Sequence, residues 1–205
     1  MITIPNLLTL FRIALIPVLV ASFYVGGAAG SWVAFAVFVV AGITDFFDGY
    51  FARRLDQRSA LGRFLDPVAD KLVVAAALLM MVGFGQIGGL ALLPALVILC
   101  REILVSGLRE YLAGIDVSMP VSRLAKWKTA IQMTAIAILL LGGAGPWGVP
   151  WATVGEVGLW AAAVLTLVTG YDYLRSGLRH IAGAESGKGG SEGTRAPGSG
   201  AGEQG

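Results

Sequence analysis

Three features of the sequence predict an all-α integral membrane protein with six transmembrane helices. Hydrophobic residues make up 56% of the 205 residues and charged residues 14%, against about 45–50% and about 25% in soluble domains. The mean hydropathy is +0.77. Three uncharged runs are each too long for a single crossing, which needs roughly 20 residues. We therefore expect each run to fold back as a pair of helices.

The uncharged runs cover residues 13–44, 72–100 and 129–155. Each contains a glycine-rich stretch that is unfavourable in a helix and marks a turn. These breaks predict helices over residues 13–25, 32–51, 67–82, 90–112, 122–141 and 151–179.

The same breaks predict three parts of the chain. Residues 1–12 form an N-terminal interfacial segment, and residues 13–181 form the six-helix domain. Residues 182–205 are rich in Gly, Ser and Glu and have too little apolar surface to offset the entropy of ordering, so we expect a disordered tail.

The charges indicate the orientation of the helices. With six spans, all 15 basic residues fall on one side together with both termini, and only Glu156 among the acids falls on the other. The positive-inside rule makes the basic side cytoplasmic, so we expect a multi-pass membrane protein with both termini in the cytoplasm. The net charge of +2 does not indicate nucleic-acid binding. Cys100 is the only cysteine, which excludes an intrachain disulfide and a cysteine zinc cage.

Four aspartates lie where the second helix ends and the third begins. Asp45 and Asp48 are three residues apart, and Asp66 and Asp70 are four apart, so each pair shares one helical face. Four carboxylates near lipid repel one another unless cations compensate them. Hard oxygen ligands without a nearby His or Cys favour Mg²⁺ or Mn²⁺, and four carboxylates suffice for two such ions about 4 Å apart. The alternative is that water and neighbouring basic residues solvate and pair these carboxylates.

Small residues accompany the aspartates. Gly49, Ala52 and Gly62 lie between or beside them, and glycine in a helix usually marks the close approach of another group. With Arg53, these residues are compatible with a slot for a flat or phosphate-bearing ligand. Helix packing is the alternative explanation.

These residues resemble the CDP-alcohol phosphatidyltransferase family. The family signature D-x-x-D-G-x-x-A-R-x8-G-x3-D-x3-D is present with every spacing intact between residues 45 and 70. Residues 4–12, 101–110 and 126–129 are further similar to the bacterial members that use glycerol 3-phosphate, and the resemblance covers roughly residues 4–175.

The resemblance implies a six-helix enzyme that transfers a phosphatidyl group from CDP-diacylglycerol to an alcohol and releases CMP, at the cytoplasmic face and commonly as a homodimer. It implies metal ligation by Asp45, Asp48 and Asp66, and it places Asp70 near the metals as the candidate catalytic base. It assigns the cytidine nucleotide to Gly49, Ala52, Arg53 and Gly62, with Asn6 and Thr9 as phosphate donors.

A group of five basic residues indicates the charge of the acceptor alcohol. It consists of Arg101, Arg109, Arg123, Lys126 and Lys128. This is more positive charge than choline, ethanolamine or serine requires, so it favours an anionic acceptor such as a phosphomonoester. Glycerol 3-phosphate fits, as the resemblance also implies, and an inositol phosphate would fit too. Attraction to anionic lipid headgroups is the alternative role.

The expected function is phosphatidyl transfer to glycerol 3-phosphate, giving phosphatidylglycerophosphate and CMP. A related enzyme on the same scaffold, making cardiolipin, phosphatidylserine or phosphatidylinositol phosphate, is the nearest alternative. A divalent-cation transporter is the alternative of another class, but it needs carboxylates near mid-bilayer and a route to the far side.

Overall fold

The structure, a computed structural model, describes residues 4–55, 60–114 and 123–189. Within these ranges the side chains of residues 4–5, 48–55, 60–61, 63–64, 123, 172 and 176–189 are outside the description.

The described residues form six long α-helices and contain no strand, which confirms the all-α prediction. The helices are α1 (Ile4–Val25), α2 (Gly27–Leu55), α3 (Ala60–Gly83), α4 (Leu92–Gly114), α5 (Arg123–Leu141) and α6 (Trp151–Gly189). Short 3₁₀ turns at Gly89–Ala91 and Gly142–Ala144 stand before α4 and after α5.

Five of these six helices are long and apolar enough to cross a membrane. The exception, α3, carries acidic and basic residues in its first half and is uncharged only from Leu72 onward. The prediction of an integral membrane protein is therefore confirmed. The side on which the termini lie stays a prediction.

Helix α2 spans Gly27–Leu55 instead of the predicted residues 32–51, and three further boundaries differ from the sequence prediction. The predicted interfacial segment is not separate, because α1 already begins at Ile4. Helix α3 begins at Ala60 and contains Pro67 in its interior; a membrane helix tolerates proline because neighbouring groups satisfy the freed backbone carbonyl. Helix α6 continues to Gly189, since extending an existing helix costs far less than starting one. Residues 190–205 of the predicted tail lie outside the described residues.

Two glycines form the turn between α1 and α2. Gly26 and Gly27 have φ of +69° and +59°, which glycine adopts at little cost. Gly30 then lies against α1, where a Cβ would be 2.5 Å from the carbonyl oxygen of Ser22. The connections before α4 and before α6 also contain glycines with positive φ, Gly85 and Gly89 in the first and Gly142 and Gly148 in the second.

The helices pack as a bundle in which α1 contacts α2 and α3, α5 contacts α2 and α6, and α4 contacts α3 and α6. Small residues allow α5 and α6 to approach closely, since a Cβ on Gly158 would be 3.0 Å from the Cβ of Ala135. Residues buried in the apolar core include Leu19, Phe38, Met81, Ile98 and Leu140. Because successive helices run in opposite directions, one end of the bundle collects the starts of α1, α3 and α5 and the last turns of α2, α4 and α6.

Candidate active site

A polar stripe on α1 lies at this end of the bundle. Asn6, Thr9 and Arg12 are spaced three residues apart and are almost completely buried, with 4%, 0% and 1% of their surface exposed. This spacing places them along one side of the helix. Buried polar side chains need partners, and those of Thr9 and Arg12 come from two different helices.

The stripe connects α1 to carboxylates of α2 and α3. The Thr9 hydroxyl donates a 2.5 Å hydrogen bond to Oδ1 of Asp66, and Nη1 of Arg12 lies 2.9 Å from Oδ1 of Asp45. Asp70, one turn after Asp66, is 3.0 Å from Nζ of Lys71. We call Asp45, Asp66 and Asp70 the aspartate cluster. Helix α1 therefore fixes both halves of the signature at the same end of the bundle.

The aspartate cluster has the donor chemistry of a magnesium or manganese site, since all its ligands are hard carboxylate oxygens. Among the side chains that the structure describes, no three His, Cys, Asp or Glu residues converge closely enough to hold an ion. Each carboxylate of the aspartate cluster instead contacts a hydroxyl donor or a basic side chain. Asp45 and Asp70 remain accessible, with 51% and 35% of the side chain exposed. Metal ligation by the four aspartates stays a prediction, and the side chain of Asp48 lies outside the description.

The structure describes only part of the predicted nucleotide-binding site. Gly49, Ala52 and Arg53 lie within α2, but their side chains are outside the description. Gly62 is buried in α3, before Asp66. Their role in binding CDP is therefore still predicted from the resemblance.

A cavity of about 190 Å³ lies between α3, α4, α5 and α6. Its walls combine charged and polar side chains with a few apolar ones. The polar lining consists of Asp70, Lys71, Arg101, Glu102, Arg109, Lys128, Thr129, Gln132 and Tyr173. Asp70 therefore belongs to both the aspartate cluster and the cavity wall.

Glu102 is the centre of the ion pairs in this cavity. Nζ of Lys128 donates a hydrogen bond to Oε1 of Glu102, Nη1 of Arg101 lies 3.2 Å from the same oxygen, and Nζ of Lys71 lies 3.6 Å from Oε2. The Glu102 side chain is 12% exposed and that of Lys128 only 2%. We call Glu102, Lys71, Arg101 and Lys128 the Glu102 cluster. One buried carboxylate thus positions three cations from three helices.

Helix α6 supports Arg101 from the other side. Nη2 of Arg101 donates a 3.2 Å hydrogen bond to the Thr169 hydroxyl, and the guanidinium lies 5.8 Å from the centre of the Tyr173 ring, within range of a cation–π contact. A Cβ on Gly170 would be 3.1 Å from Cγ of Arg101. Glycine at this position leaves the space that the arginine occupies.

The structure divides the predicted acceptor residues. Arg101, Arg109 and Lys128 line the cavity, whereas Lys126 is exposed and does not contribute to its wall. Two residues along a helix change direction by about 200°, so Lys126 and Lys128 face opposite sides of α5. Arg123 begins α5, and its side chain is outside the description.

Four residues of the site were not singled out from the sequence: Arg12, Lys71, Glu102 and Gln132. For two of them, the sequence contains a feature from which a site residue could have been predicted. Glu102 is the only acidic residue between positions 72 and 109, and Gln132 is the only amide or carboxyl side chain between positions 129 and 155. An isolated polar residue in an apolar helix is costly and usually has a structural or functional partner.

A second, largely apolar groove of about 440 Å³ lies between α3 and α4. Its walls include the small residues Ala75, Ser106 and Gly107, with Leu99 and Ile103 beside them. Small residues on membrane helices allow another helix to approach closely. This surface can therefore receive an apolar partner.

Comparison with known proteins agrees with the residues gathered at this end of the bundle. The sequence profile of the CDP-alcohol phosphatidyltransferase family matches residues 2–168. The chain belongs to this family. Members of the family generally depend on a divalent metal.

Several relatives share the name CDP-diacylglycerol–glycerol-3-phosphate 3-phosphatidyltransferase. The one from Rickettsia bellii is 47% identical over 173 residues, covering 84% of this chain and 94% of its own length. That from Pseudomonas fluorescens is 44% identical, covering 87% and 91%. That from Cereibacter sphaeroides is 38% identical, covering 87% and 97%. Each match therefore spans nearly the whole relative and includes both clusters.

Proposed function

We propose that the protein transfers the phosphatidyl group of CDP-diacylglycerol to sn-glycerol 3-phosphate, giving phosphatidylglycerophosphate and CMP. The observation that carries this proposal is the cavity in which Arg101, Arg109 and Lys128 line the same space as Asp70. An anion held by the cations would have its hydroxyl groups beside a carboxylate of the signature. The names of the relatives, which specify glycerol 3-phosphate, agree with this acceptor.

The charge of the cavity fits a phosphomonoester. Four basic side chains (Lys71, Arg101, Arg109, Lys128) and two acidic ones (Asp70, Glu102) line it, which leaves a formal charge of +2 for a group that carries about −1.5 to −2 near pH 7. Among the described residues Arg109 makes no ion pair, and it is exposed near the C-terminal end of α4. Its guanidinium is available as a bidentate phosphate ligand.

The size of the cavity favours a small acceptor. Its volume of about 190 Å³ is below the roughly 300–1,000 Å³ of pockets for drug-sized ligands. A three-carbon phosphomonoester suits this space better than an inositol phosphate. It also suits the space better than phosphatidylglycerol, the lipid acceptor of a cardiolipin synthase.

Asp70 is the proposed base. The primary hydroxyl oxygen of glycerol 3-phosphate attacks the phosphorus that bears the diacylglycerol, the bond from that phosphorus to the bridging oxygen breaks, and CMP leaves. The hydroxyl proton passes to the carboxylate of Asp70, which lines the cavity and is 35% exposed. Nζ of Lys71, 3.0 Å from Oδ2 of Asp70, orients this carboxylate.

We propose that Asp45, Asp48, Asp66 and Asp70 hold Mg²⁺ or Mn²⁺, two ions in all, and that Asn6, Thr9, Gly49, Ala52, Arg53 and Gly62 bind the CDP moiety. When bound, divalent ions neutralise the pyrophosphate and stabilise the departing CMP phosphate. Thr9 and Arg12 hold Asp66 and Asp45 at the ends of their helices, so this chain presents its carboxylates before substrate arrives.

The location and assembly complete the proposal. The protein is a multi-pass membrane protein with at least five apolar helices, and we propose the bacterial inner membrane, with both termini and the site on the cytoplasmic side. We also propose a homodimer in which a second copy covers the groove between α3 and α4. Labelling of single cysteines placed at residues 148 and 200 in a Cys100→Ser background would report the side of each, and native mass measurement in nanodiscs would report the dimer.

An acceptor-competition assay tests the central proposal. Purified protein in lipid nanodiscs receives CDP-diacylglycerol, Mg²⁺ or Mn²⁺, and a mixture of glycerol 3-phosphate, serine, inositol phosphate and phosphatidylglycerol. We expect CMP release to accompany formation of phosphatidylglycerophosphate, EDTA to stop it, and either metal to restore it. Preferential consumption of another acceptor contradicts the assignment. Metal flux into liposomes that lack CDP-diacylglycerol would instead support a transporter.

A further inference from the structure

Gln132 lies in the acceptor cavity without a role in the mechanism above. It follows Lys128 by four residues on α5, so the two side chains share a face of the helix. Lys128 and Gln132 both line the cavity, and each has only 2% of its surface exposed. Because α5 runs into the bundle from its start at Arg123, Gln132 lies one turn further from that end than Lys128.

The amide oxygen of Gln132 is unsatisfied. Its Oε1 is buried and has no hydrogen-bond partner among the described residues. Among its neighbours, Lys128 donates to Glu102 and the Thr169 hydroxyl has both Arg101 and a backbone carbonyl as partners, whereas Nε of Arg101 is likewise buried without a partner among the described residues. Buried polar groups are nearly always hydrogen-bonded, and an exception needs an explanation. Gln132 lines a ligand cavity, so a ligand bound there would supply the missing partner.

The chemistry of the acceptor indicates which of its groups is left for this amide. In the proposed reaction the phosphate binds the cations, and the primary hydroxyl approaches Asp70. The secondary hydroxyl of glycerol 3-phosphate has no assigned partner. An amide both accepts and donates hydrogen bonds, so it satisfies a neutral hydroxyl without adding charge beside the phosphate.

We infer that Gln132 binds the secondary hydroxyl of glycerol 3-phosphate and is a specificity-determining residue for the acceptor. The inference rests on the proposed function. It explains why an uncharged amide lies among charged side chains. A site that is built to bond a substrate hydroxyl rejects an analogue that lacks it, because the polar group of the site is then left unpaired.

The test compares two acceptors that differ only in that hydroxyl. Glycerol 3-phosphate and 3-hydroxypropyl phosphate are each supplied to the full-length protein with CDP-diacylglycerol and Mg²⁺, and kcat/KM is measured from CMP release. We expect the wild-type protein to prefer glycerol 3-phosphate by about 10-fold to 100-fold. Gln132→Met, which keeps the length of the side chain and removes its hydrogen bonds, should reduce this ratio to about 1–3 by lowering the value for glycerol 3-phosphate alone.

Two further variants make the result decisive. Gln86→Met, in the loop before α4 at the other end of the bundle, should keep the wild-type ratio. Gln132→Asn keeps the amide on a shorter side chain and should give an intermediate ratio. Equal use of both acceptors by the wild-type protein, or an equal loss for both acceptors in Gln132→Met, overturns the inference while leaving the proposed function intact. A wild-type protein that transfers to neither acceptor overturns the proposed function, and the inference with it.

Discussion

The aspartate cluster and the Glu102 cluster differ in how the negative charge of their carboxylates is compensated. In the aspartate cluster each carboxylate contacts a different side chain, Arg12, Thr9 or Lys71, of which Lys71 also contacts Glu102, and Asp45 and Asp70 remain substantially exposed. In the Glu102 cluster one carboxylate, 12% exposed, has three cations around it.

This difference indicates that the two clusters at one end of the bundle have different roles, ligand binding in one and positioning of side chains in the other. A carboxylate with an accessible surface can exchange a side-chain partner for a ligand. A carboxylate enclosed by three cations is costly to disturb, because removing it leaves several buried charges unpaired. The aspartate cluster is thus suited to changing partners during turnover. The Glu102 cluster is suited to holding basic side chains in place.

The largest expected effect concerns the aspartate cluster. Asp66→Asn and Asp70→Asn should each lower kcat for phosphatidyl transfer by at least about 100-fold, since a positioned base alone contributes about that much. The proteins should still insert and purify, because both residues are only partly buried. CMP release in nanodiscs is the measurement.

The control for these variants is Asp56→Asn, which lies outside the signature and should stay near wild-type activity. Similar activity in all three variants would show that the signature aspartates do not have the assigned roles.

Replacing Glu102 should affect stability and acceptor binding together. Glu102→Gln leaves Lys71, Arg101 and Lys128 without their shared carboxylate, and breaking a buried ion pair in this way costs about 3–5 kcal/mol. We expect a clearly lower melting temperature in detergent and a raised KM for glycerol 3-phosphate. Glu156→Gln, exposed at the start of α6, should change neither. Unchanged melting in Glu102→Gln would mean that the cluster does not support the fold.

The two lysines of α5 separate a cavity residue from a surface residue. Lys128→Met should raise the KM for glycerol 3-phosphate by roughly 10-fold, since hydrogen bonds to charged groups contribute about 1.5–3 kcal/mol, with less effect on the KM for CDP-diacylglycerol. Lys126→Met should change either KM by no more than about twofold, because exposed charges contribute little. Steady-state kinetics with each substrate varied gives all four values. A larger acceptor effect at Lys126 would contradict the cavity assignment.

An effect of about the same size as that of Lys128→Met concerns the support that α1 gives to Asp66. Thr9→Val removes the hydroxyl that donates to Asp66 and should lower kcat/KM by roughly tenfold, as expected for one hydrogen bond to a charged group. Thr44→Val is the matched control, because the Thr44 hydroxyl donates only to backbone carbonyls of its own helix. If both variants behave alike, the Thr9 contact does not orient the carboxylate.

Local sequence patterns determined the helices and their breaks. Uncharged runs and glycine-rich turns placed every hairpin, and the end of α1 at Val25 and of α5 at Leu141 agree with prediction. The starts of α1 and α3 and the end of α6 were predicted less well, because charged or proline-containing turns continue a helix once it has formed. The pairing of the four aspartates on shared helical faces could likewise be predicted from their spacing, since residues three or four apart share a face.

Tertiary structure alone decided which side chains meet. Thr9 and Asp66 are 57 residues apart, and Arg101 and Thr169 are 68 apart, so no local pattern relates them. The rotation of α5 in the bundle decided that Lys128 enters the cavity while Lys126 does not, and the approach of α3, α4 and α5 enclosed Glu102 among three cations. Hydropathy and helical periodicity are properties of neighbouring residues, whereas the partners of a buried charge depend on how whole helices pack.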